Sequence, residues 1–333
     1  MCFFSTSSFA TNGDGPKYKI NWLLAHDPIE LFEEAAQFFA DKVFKETNGQ
    51  VLVNVVSNHK GYSHTQVISM VQGGHYEMTQ TYTVGLGEVY NDLWVLDLPY
   101  IFDGHEHAER VLNGEVGQKL LAGLSNHGLE GLTFTYSGGF RVIPSSGKTL
   151  EKLEDFKGFR VRTGQSPVAK IFFEFLGAVP VVSPAGWGAL QARGLINGAE
   201  TTYPRFYTTE QSNLSKVIND TKHSLFLTSI VVNQDFFNKL PLEFQNIIRS
   251  AAIEAGVLER QASIDDGERV RNKAKAEGIQ IVELPESEIE RIKKEIRPLY
   301  KERFYPMFGD LIDQIIKERY SVDKNDKEVV TFN

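Results

Sequence analysis

Apolar residues in this chain alternate between two spacings, one typical of buried strands and one typical of amphipathic helices. Residues 18–24 read Tyr-Lys-Ile-Asn-Trp-Leu-Leu, which predicts a strand. From residue 29 to residue 47, apolar side chains recur at three- and four-residue intervals, which predicts a helix that Asn48-Gly49 ends. Residues 51–56 are rich in valine and predict a second strand.

The same alternation of strand and helix continues through the middle of the chain. It predicts an α/β fold with open, largely parallel sheets, in which ligands bind beyond the carboxyl ends of the strands. The predicted helices cover residues 63–72, 105–127, 167–176 and 186–193, and the predicted strands cover residues 78–83, 129–136, 141–144, 159–162, 179–182 and 198–201.

A much longer helical pattern runs from residue 242 to residue 277 and exceeds the usual length of a globular helix. Its apolar positions do not follow sustained heptads, so a coiled coil is not predicted. We expect instead one helix that runs along two lobes. Two further helices are predicted over residues 285–300 and 301–320, before a charged, frayed tail.

The composition is that of an ordinary globular protein with room for two cores. The chain has 333 residues, of which 41% are hydrophobic and 23% are charged. The formal net charge of -8 argues against nucleic acid as a partner, because nucleic acids favour clustered Lys and Arg. The sequence contains one cysteine, Cys2, so it predicts neither an intrachain disulfide nor a cysteine metal site.

The N-terminal residues have the character of the end of an export signal. Residues 2–10 are apolar or small, and Ser8-Phe9-Ala10 has the small-x-small shape of a signal-peptidase site, although no basic segment precedes it. We expect residues 1–16 to be such a remnant, which places the protein in the periplasm. A disordered tail and a lipid-anchored Cys2 are the alternatives.

Several catalytic and cofactor motifs are absent from the sequence. It contains no G-x-S-x-G elbow, no Walker loop and no complete G-x-G-x-x-G. His105 and His107 are two residues apart, so on a helix they face apart and do not predict a metal site. No acid/base pair is evident either. We therefore expect a protein that is not an enzyme and uses neither cofactor nor metal.

Arginines in the middle of the chain are the strongest candidates for binding. Arg141 follows a glycine turn, and Arg160 and Arg162 alternate with a valine, so these two share one face of a strand. An arginine on a buried strand face needs an anionic partner, because an unpaired buried charge costs several kcal/mol. From the residues alone, that partner is either a structural Asp or Glu or a ligand.

An ordered set of short motifs extends over nearly the whole chain. It comprises Asn48-Gly49, Gly73-Gly74-x-x-Glu77-Met78, Leu98-Pro99-Tyr100-Ile101-Phe102, Gly139-Phe140-Arg141, Leu153-x-Asp155-Phe156-Lys157-Gly158-Phe159-Arg160-Val161-Arg162, Leu176-Gly177-Ala178-x-Pro180 and Ala189-Leu190-Gln191-x-x-Gly194-x-Ile196-Asn197-Gly198-Ala199-Glu200. This set resembles the DctP-type substrate-binding subunit of TRAP transporters. The resemblance implies a two-lobe, periplasmic-binding-protein-like (Venus flytrap) α/β fold with a long helix bridging both lobes.

The resemblance also implies roles for individual residues. Arg162 is implied to form a bidentate salt bridge with a ligand carboxylate, which a planar guanidinium matches in geometry. Arg141 corresponds to a frequent second contact. Thr201 stands where the family often has an asparagine, and Tyr82 stands where the sialic-acid-binding branch has an acidic residue. A ligand less hydroxylated than sialic acid is therefore implied.

Four further residues complete the candidate site. Trp187 and Tyr203 either wall an apolar pocket or pack in a core, and the sequence leaves both interpretations open. His26 follows the first predicted strand and is expected at a lip of the cleft. Phe226 lies in the segment that returns to the first lobe.

We expect residues 17–140 and 224–265 to form lobe one, and residues 141–223 and 266–322 to form lobe two, with a flexible tail over residues 323–333. The predicted function is to capture a small organic acid, as a monomer, and to deliver it to membrane permease subunits. The alternatives are a ligand-sensing domain that feeds a regulator and an enzyme acting on an organic acid. The acid is not identified among C4-dicarboxylates, 2-oxo acids, sugar acids and aromatic acids.

Overall fold

The computed structural model describes residues 15–24, 30–57, 62–183 and 187–320. Within these ranges the chain alternates between strands and helices, as the spacing of its apolar residues predicts. The strands are β1 (Tyr18–Leu24), β2 (Val51–Ser57), β3 (Met78–Tyr82), β4 (Leu129–Phe140), β5 (Ile143–Ser145), β6 (Arg160–Thr163), β7 (Val179–Val182), β8 (Gly198–Ala199), β9 (Val217–Asp220), β10 (Leu225–Asn233) and β11 (Gln280–Glu283).

The helices follow the strands closely, and most connections are short. They are α1 (Glu30–Glu46), α2 (His64–Gln72), α3 (Thr83–Leu86), α4 (His105–Asn113), α5 (Glu115–Gly123), α6 (Pro167–Phe175), α7 (Trp187–Ala192), α8 (Tyr203–Thr208), α9 (Gln234–Lys239), α10 (Leu242–Ala276), α11 (Glu286–Glu295), α12 (Arg297–Leu299), α13 (Tyr305–Phe308) and α14 (Asp310–Lys317). Single 3-10 turns cover Asn91–Asp97, Leu124–His127, Leu153–Phe156, Gln211–Asn213 and Glu318–Tyr320, and Tyr300–Phe304 is a π-helical turn.

The first sheet has the strand order β2-β1-β3-β10-β4. β1 runs parallel to β2 and β3, whereas β10 runs antiparallel to β3 and β4. Large apolar residues join this sheet to α1 and α10 in one core. Within it, Trp22 of β1 meets Phe39 of α1 edge to face, with ring centroids 5.1 Å apart. This packing holds α1 against the strand that precedes it.

The second sheet has the order β11-β9-β5-β8-β6-β7 and is also mixed rather than largely parallel. β5 runs antiparallel to β8 and β9, while β6 runs parallel to β7 and β8. The chain crosses to this sheet between β4 and β5 and returns between β9 and β10. A strand that enters from the neighbouring sheet needs no helical crossover, so nothing forces it to be parallel.

Glycine divides two segments that the sequence predicts as longer helices. The helix predicted over residues 105–127 is interrupted after Asn113, where Gly114 is extended with φ -86° and ψ -167°. A Cβ at Gly114 would lie 2.6 Å from the Arg110 carbonyl oxygen, so the backbone approaches itself too closely for another residue. In the C-terminal segment Gly309, at φ 35°, likewise separates α13 from α14.

The long helix predicted from residue 242 is confirmed as α10, which connects the two sheets. It packs on α1 and β4 of the first sheet and on α8 and β11 on the side of the second. Gly256 permits the close approach to β4, because a Cβ there would lie 2.8 Å from Thr133 Oγ1. Over the described ranges, no helix combines the length and the apolar composition that crossing a membrane requires.

Buried polar side chains tie the middle of α10 to its neighbours. Arg260 is 1% exposed, and it donates from Nη1 to the Phe134 carbonyl at 2.6 Å and from Nη2 to Glu109 Oε2 at 2.8 Å. The adjacent Glu259 is also buried and accepts a 2.7 Å hydrogen bond from the Tyr136 amide. Burial raises the pKa of Glu259 to about 8.

We expect the protein to lose stability as the pH rises, because burial raises the pKa of the Glu259 carboxyl group. Its carboxyl group ionises near 4.5 in an unfolded chain but near 8 when folded, so the folded state holds an extra proton between these values. The free energy of unfolding should therefore fall, by up to about 1.4 kcal/mol per pH unit, across that window. Urea unfolding of the wild type and of Glu259→Gln across this range measures the effect. Identical slopes in the two proteins would contradict it.

Candidate functional site

The predicted arginines lie where the chain passes between the two sheets. Arg141 comes directly after β4, and its amide donates at 2.9 Å to a carbonyl just before β10. Arg162 lies on β6, and its carbonyl accepts from the Glu200 amide at 3.0 Å. An antiparallel bridge between Val142 and Thr201 connects the two places. The backbone therefore holds Arg141, Arg162 and Glu200 as neighbours.

Arg141 is already engaged within the protein, and only 6% of it is exposed. Its Nη1 lies 4.0 Å from Glu200 Oε1, and its guanidinium carbon lies 3.8 Å from the centre of the Phe226 ring. An arginine with a carboxylate on one side and an aromatic face on another is held in a single orientation. Arg141 therefore contributes a fixed positive charge.

Glu200 is the carboxylate that balances Arg141. Its Oε1 accepts a 2.9 Å hydrogen bond from the Gly164 amide, and its Oε2 lies 3.3 Å from His223 Nε2. Burial by itself raises the pKa of Glu200, but Arg141 and His223 outweigh that effect, and the pKa falls to about 2. Glu200 is therefore ionised at neutral pH.

His223 is neutral and has both of its ring nitrogens occupied. Burial lowers its pKa. Because the Glu200 carboxylate can only accept, Nε2 carries the proton, and Nδ1 then accepts from the Thr221 hydroxyl at 2.8 Å. In the described part of the chain, no cluster of three His, Cys, Asp or Glu side chains is arranged to hold a metal ion.

Arg162 differs from Arg141 because part of its guanidinium is buried without a hydrogen-bond partner among the described residues. Its Nε makes no hydrogen bond to any residue that the structure describes. Burial lowers the pKa of Arg162, and Glu200, Arg141, Arg205 and Tyr82 are near enough to influence it. Nearly all buried donors in proteins have a hydrogen-bond partner. Arg162 is thus the arginine of the site that requires a further acceptor.

Aromatic rings from the first sheet form a wall beside these arginines. Tyr82, at the end of β3, stacks on Phe226 of β10 with ring centroids 4.9 Å apart. His64 of α2 packs edge-on against Tyr82 at 4.2 Å. The Tyr82 hydroxyl accepts a 2.7 Å hydrogen bond from Arg205 Nη1 of α8. This bond joins a strand of the first sheet to a helix that packs on the second.

The structure brings together five of the eight residues that the sequence selects. Arg162, Arg141, Tyr82 and Phe226 are linked by the contacts above. Thr201 is buried next to them, through its backbone pairing with the residue after Arg141. This group therefore combines two guanidinium groups, two aromatic rings and one threonine.

The other three selected residues are not part of this group. Tyr203 of α8 does not join this group, because it packs in a core with Phe206 and Ile218. Trp187 is the half-buried first residue of α7, and no ring contact or hydrogen bond within the described ranges links it to Arg162. His26 lies outside the described residues.

Four members of the site were not selected from the sequence: Glu200, His223, Arg205 and Asp97. Asp97 is buried near Arg141, and burial raises its pKa to about 6. Glu200 and Arg205 carry one weak signal, since each is a charged residue in an otherwise buried stretch. His223 and Asp97 also lie in buried stretches, but only the folded chain brings Glu200 to His223 and Arg141 to Asp97.

Two mixed α/β sheets, joined by two crossing segments and a long helix around a group of arginines, define a two-lobe solute-binding protein. The chain matches DctP, the bacterial extracellular solute-binding protein family 7, over residues 25–306. It therefore belongs to this family, whose members are extracytoplasmic proteins of solute transport. The resemblance and the two-lobe α/β fold that the sequence predicts are confirmed.

Named relatives and a solved structure match most of the chain. It is 28% identical over 287 residues to the 2,3-diketo-L-gulonate-binding periplasmic protein YiaO of Escherichia coli, covering 85% of this chain and 84% of that protein. It is 27% identical over 296 residues to the C4-dicarboxylate-binding periplasmic protein DctP of Rhodobacter capsulatus, covering 88% and 84%. A TRAP periplasmic solute-binding protein from Polaromonas, bound to D-erythronate, matches with a TM-score of 0.81 at 26% identity, covering 90% of this chain and 98% of that one.

Removing the charge of Glu200 should destabilise the fold. Glu200→Gln leaves the buried guanidinium of Arg141 without its carboxylate, and breaking a buried ion pair in this way costs about 3–5 kcal/mol. Urea unfolding at pH 7 measures the loss. Glu174→Gln makes the same change at an exposed position of α6 and should alter stability by less than about 0.5 kcal/mol. Equal effects of the two changes would contradict the role given to Glu200.

Proposed function

We propose that this protein captures a small organic acid between its two lobes and delivers it to the membrane permease of a TRAP transporter. The observation that carries the proposal is the buried Nε of Arg162, which has no hydrogen-bond partner in the described part of the chain. A carboxylate presents two oxygens that match the fork of a guanidinium. Two relatives are named for binding organic acids, a C4-dicarboxylate and 2,3-diketo-L-gulonate.

The proposed site gives each side chain a distinct role. Arg162 forms the salt bridge with the carboxylate, and Arg141 adds a second positive charge that does not move, because Glu200 and Phe226 already hold it. Phe226 and Tyr82 supply an aromatic wall for the carbon skeleton of the acid.

Of the remaining candidates, Thr201 offers a neighbouring polar edge. Trp187 and His26 stay predictions as residues at the rim. Tyr203 is left out of the proposed site because it packs in the core beneath α8.

We propose that the lobes comprise residues 17–140 with 224–265, and residues 141–223 with 266–322. The division of the strands supports this, because β1 to β4 and β10 form one sheet and β5 to β9 and β11 form the other. An acid that contacts Arg162 on one lobe and Tyr82 on the other favours the closed arrangement, since only that arrangement offers both contacts.

We also propose that the protein binds the acid without transforming it. General acid–base catalysis needs a group that can exchange a proton with the bound molecule. Near Arg162, His223 has both ring nitrogens engaged, Glu200 is held by Arg141 and by the Gly164 amide, and Asp97 is buried and accepts a hydrogen bond from the Ser166 hydroxyl. The role of the family in solute transport supports the same conclusion.

The proposed setting is the periplasm, where the protein works as a monomer with permease subunits as its protein partners. The extracytoplasmic character of the family supports this location. Ser8-Phe9-Ala10, which lies outside the described residues, is the proposed end of the export signal. The net charge of -8 supports the absence of a nucleic-acid partner.

A panel of organic acids should contain one that raises the melting temperature, because a molecule that binds only the folded state stabilises it. Succinate, D-erythronate, 2-oxo acids and aromatic acids cover the open classes, and calorimetry then measures the affinity of the best acid. Arg162→Ala should weaken that affinity by about 30- to 5,000-fold, the range for truncating one partner of a buried charge pair.

Two matched variants distinguish the contribution of the guanidinium geometry to the affinity from that of positive charge alone. Arg162→Lys keeps the charge without the fork and should bind less tightly than the wild type but more tightly than Arg162→Ala. Arg160→Ala removes an exposed arginine of the same strand and should leave the affinity within about twofold. Wild-type affinity in Arg162→Ala would refute the proposed anchor, and no response to any acid would refute the proposed ligand class.

A further inference from the structure

A cavity whose lining does not include Arg162 lies between α10 and the segments that cross from one sheet to the other. We call it the α10 cavity. Its volume is about 950 Å³, enough for a small molecule. Neither Arg162 nor Phe226 lines it. The lining includes Gly138, Gly139 and Phe140 at the end of β4, Tyr203 of α8, Asp220 of β9 and Arg271 of α10.

Asp220 is a buried carboxylate that lines this cavity without adequate partners. It is 4% exposed, and although Tyr203 lies beside it, neither carboxylate oxygen accepts a hydrogen bond of good geometry from any described residue. Lys222, Arg271 and Lys275 are its cationic neighbours, and the nearest ion pair is with Arg271, whose Nε lies 3.7 Å from Oδ2, beyond hydrogen-bond reach. Arg271 also pairs through Nη2 with Glu283. The guanidinium is therefore shared and does not satisfy Asp220.

Two other polar atoms on the wall of the α10 cavity are in the same condition. The Tyr203 hydroxyl is buried close to Asp220 and Arg271, but within the described ranges it forms no hydrogen bond of good geometry with either. The Nδ1 of His105, across the cavity on α4, is buried and lacks a hydrogen bond to the described residues too. Buried polar groups without partners are rare in proteins. Their convergence on one cavity indicates a molecule that supplies the missing hydrogen bonds.

The charges around the cavity indicate which molecule fits. Acidic side chains in the lining outnumber basic ones, so the field there favours a cation. The acidic residues are Asp103, Asp220, Glu268, Glu283, Glu286 and Glu290, and the basic residues are Lys222, Arg271 and Lys293. An ammonium group is a compact cation with several N–H donors. It matches the two free oxygens of Asp220 and the oxygen of Tyr203.

We propose that the α10 cavity is a second binding site, which takes a small organic ammonium compound through Asp220 and Tyr203. The inference does not depend on the organic-acid site, because the two share no residue named as a contact. The wall of the cavity comes from β4 on the first sheet and from Asp220 on the second. A bound amine therefore contacts both sides of the crossing.

Calorimetry with 1,4-diaminobutane tests the proposal, with sodium chloride of equal ionic strength as the blank. Saturable binding is expected, at one molecule per chain. Asp220→Asn removes the charge that the ammonium needs and should weaken binding about tenfold or more. Glu174→Gln removes one charge from the exposed surface of α6 and should bind as the wild type does.

A second variant keeps the test decisive if Asp220→Asn does not fold. Gly267→Leu places a side chain in the cavity, where a Cβ meets the Gly138 carbonyl oxygen at an ordinary 3.7 Å, and leucine favours a helix more than glycine does. It should fold and lose diamine binding. Arg162→Ala should retain that binding, which separates this site from the organic-acid site. If calorimetry detects no saturable binding of the diamine, the cavity holds only water. If Asp220→Asn and Gly267→Leu both bind the diamine as tightly as the wild type, the amine binds elsewhere. Either result overturns the proposal.

Discussion

Burying a guanidinium costs several kcal/mol unless acceptors surround it, and this constraint organises the space between the two sheets. Inside the chain, the Glu200 carboxylate, 4.0 Å from Arg141 Nη1, and the Phe226 ring compensate part of the charge of Arg141. The buried Nε of Arg162, by contrast, has no acceptor among the described residues. One guanidinium is therefore compensated within the fold, and the other is the one that we propose to pair with an anion from outside.

Glu200 is the residue that creates this difference. A single carboxylate between two arginines could pair with either, but the Gly164 amide and the His223 ring fix its two oxygens in place. In that position it lies beside Arg141, and its own pKa is low enough that it stays charged at neutral pH. The network behind the site thus supports the proposal that Arg162 is the guanidinium available to a ligand carboxylate.

Both proposed binding sites lie next to the two segments that cross between the sheets. The Arg162 group lies beside them, and the α10 cavity borders them as well. α10 packs on both sheets, with Arg260 and Glu259 making buried hydrogen bonds to β4. A change in the relative position of the sheets must therefore alter the polar contacts of both sites together.

The sequence by itself determined the elements whose signal is local. The bounds of β1 and α10 follow from apolar spacing. The strand pattern marked Arg160 and Arg162 alike as arginines that are costly to bury, and only the family resemblance selected Arg162. The family motifs in the sequence also indicated the two-lobe fold. Strand direction and the break at Gly114 were not predictable, because they depend on which strands meet and on how closely the backbone approaches itself.

The tertiary structure alone decided the partners of the charged residues. Arg141 and Arg162 look equivalent along the chain. Only the positions of Glu200 and His223, from separate segments, distinguish Arg141, which lies beside a carboxylate, from Arg162, whose Nε has no acceptor in the described part of the chain. The same holds for Tyr203, an aromatic candidate in the sequence that packs in a core. Pairing energies depend on distances of a few ångströms between remote segments, and the order of residues does not contain those distances.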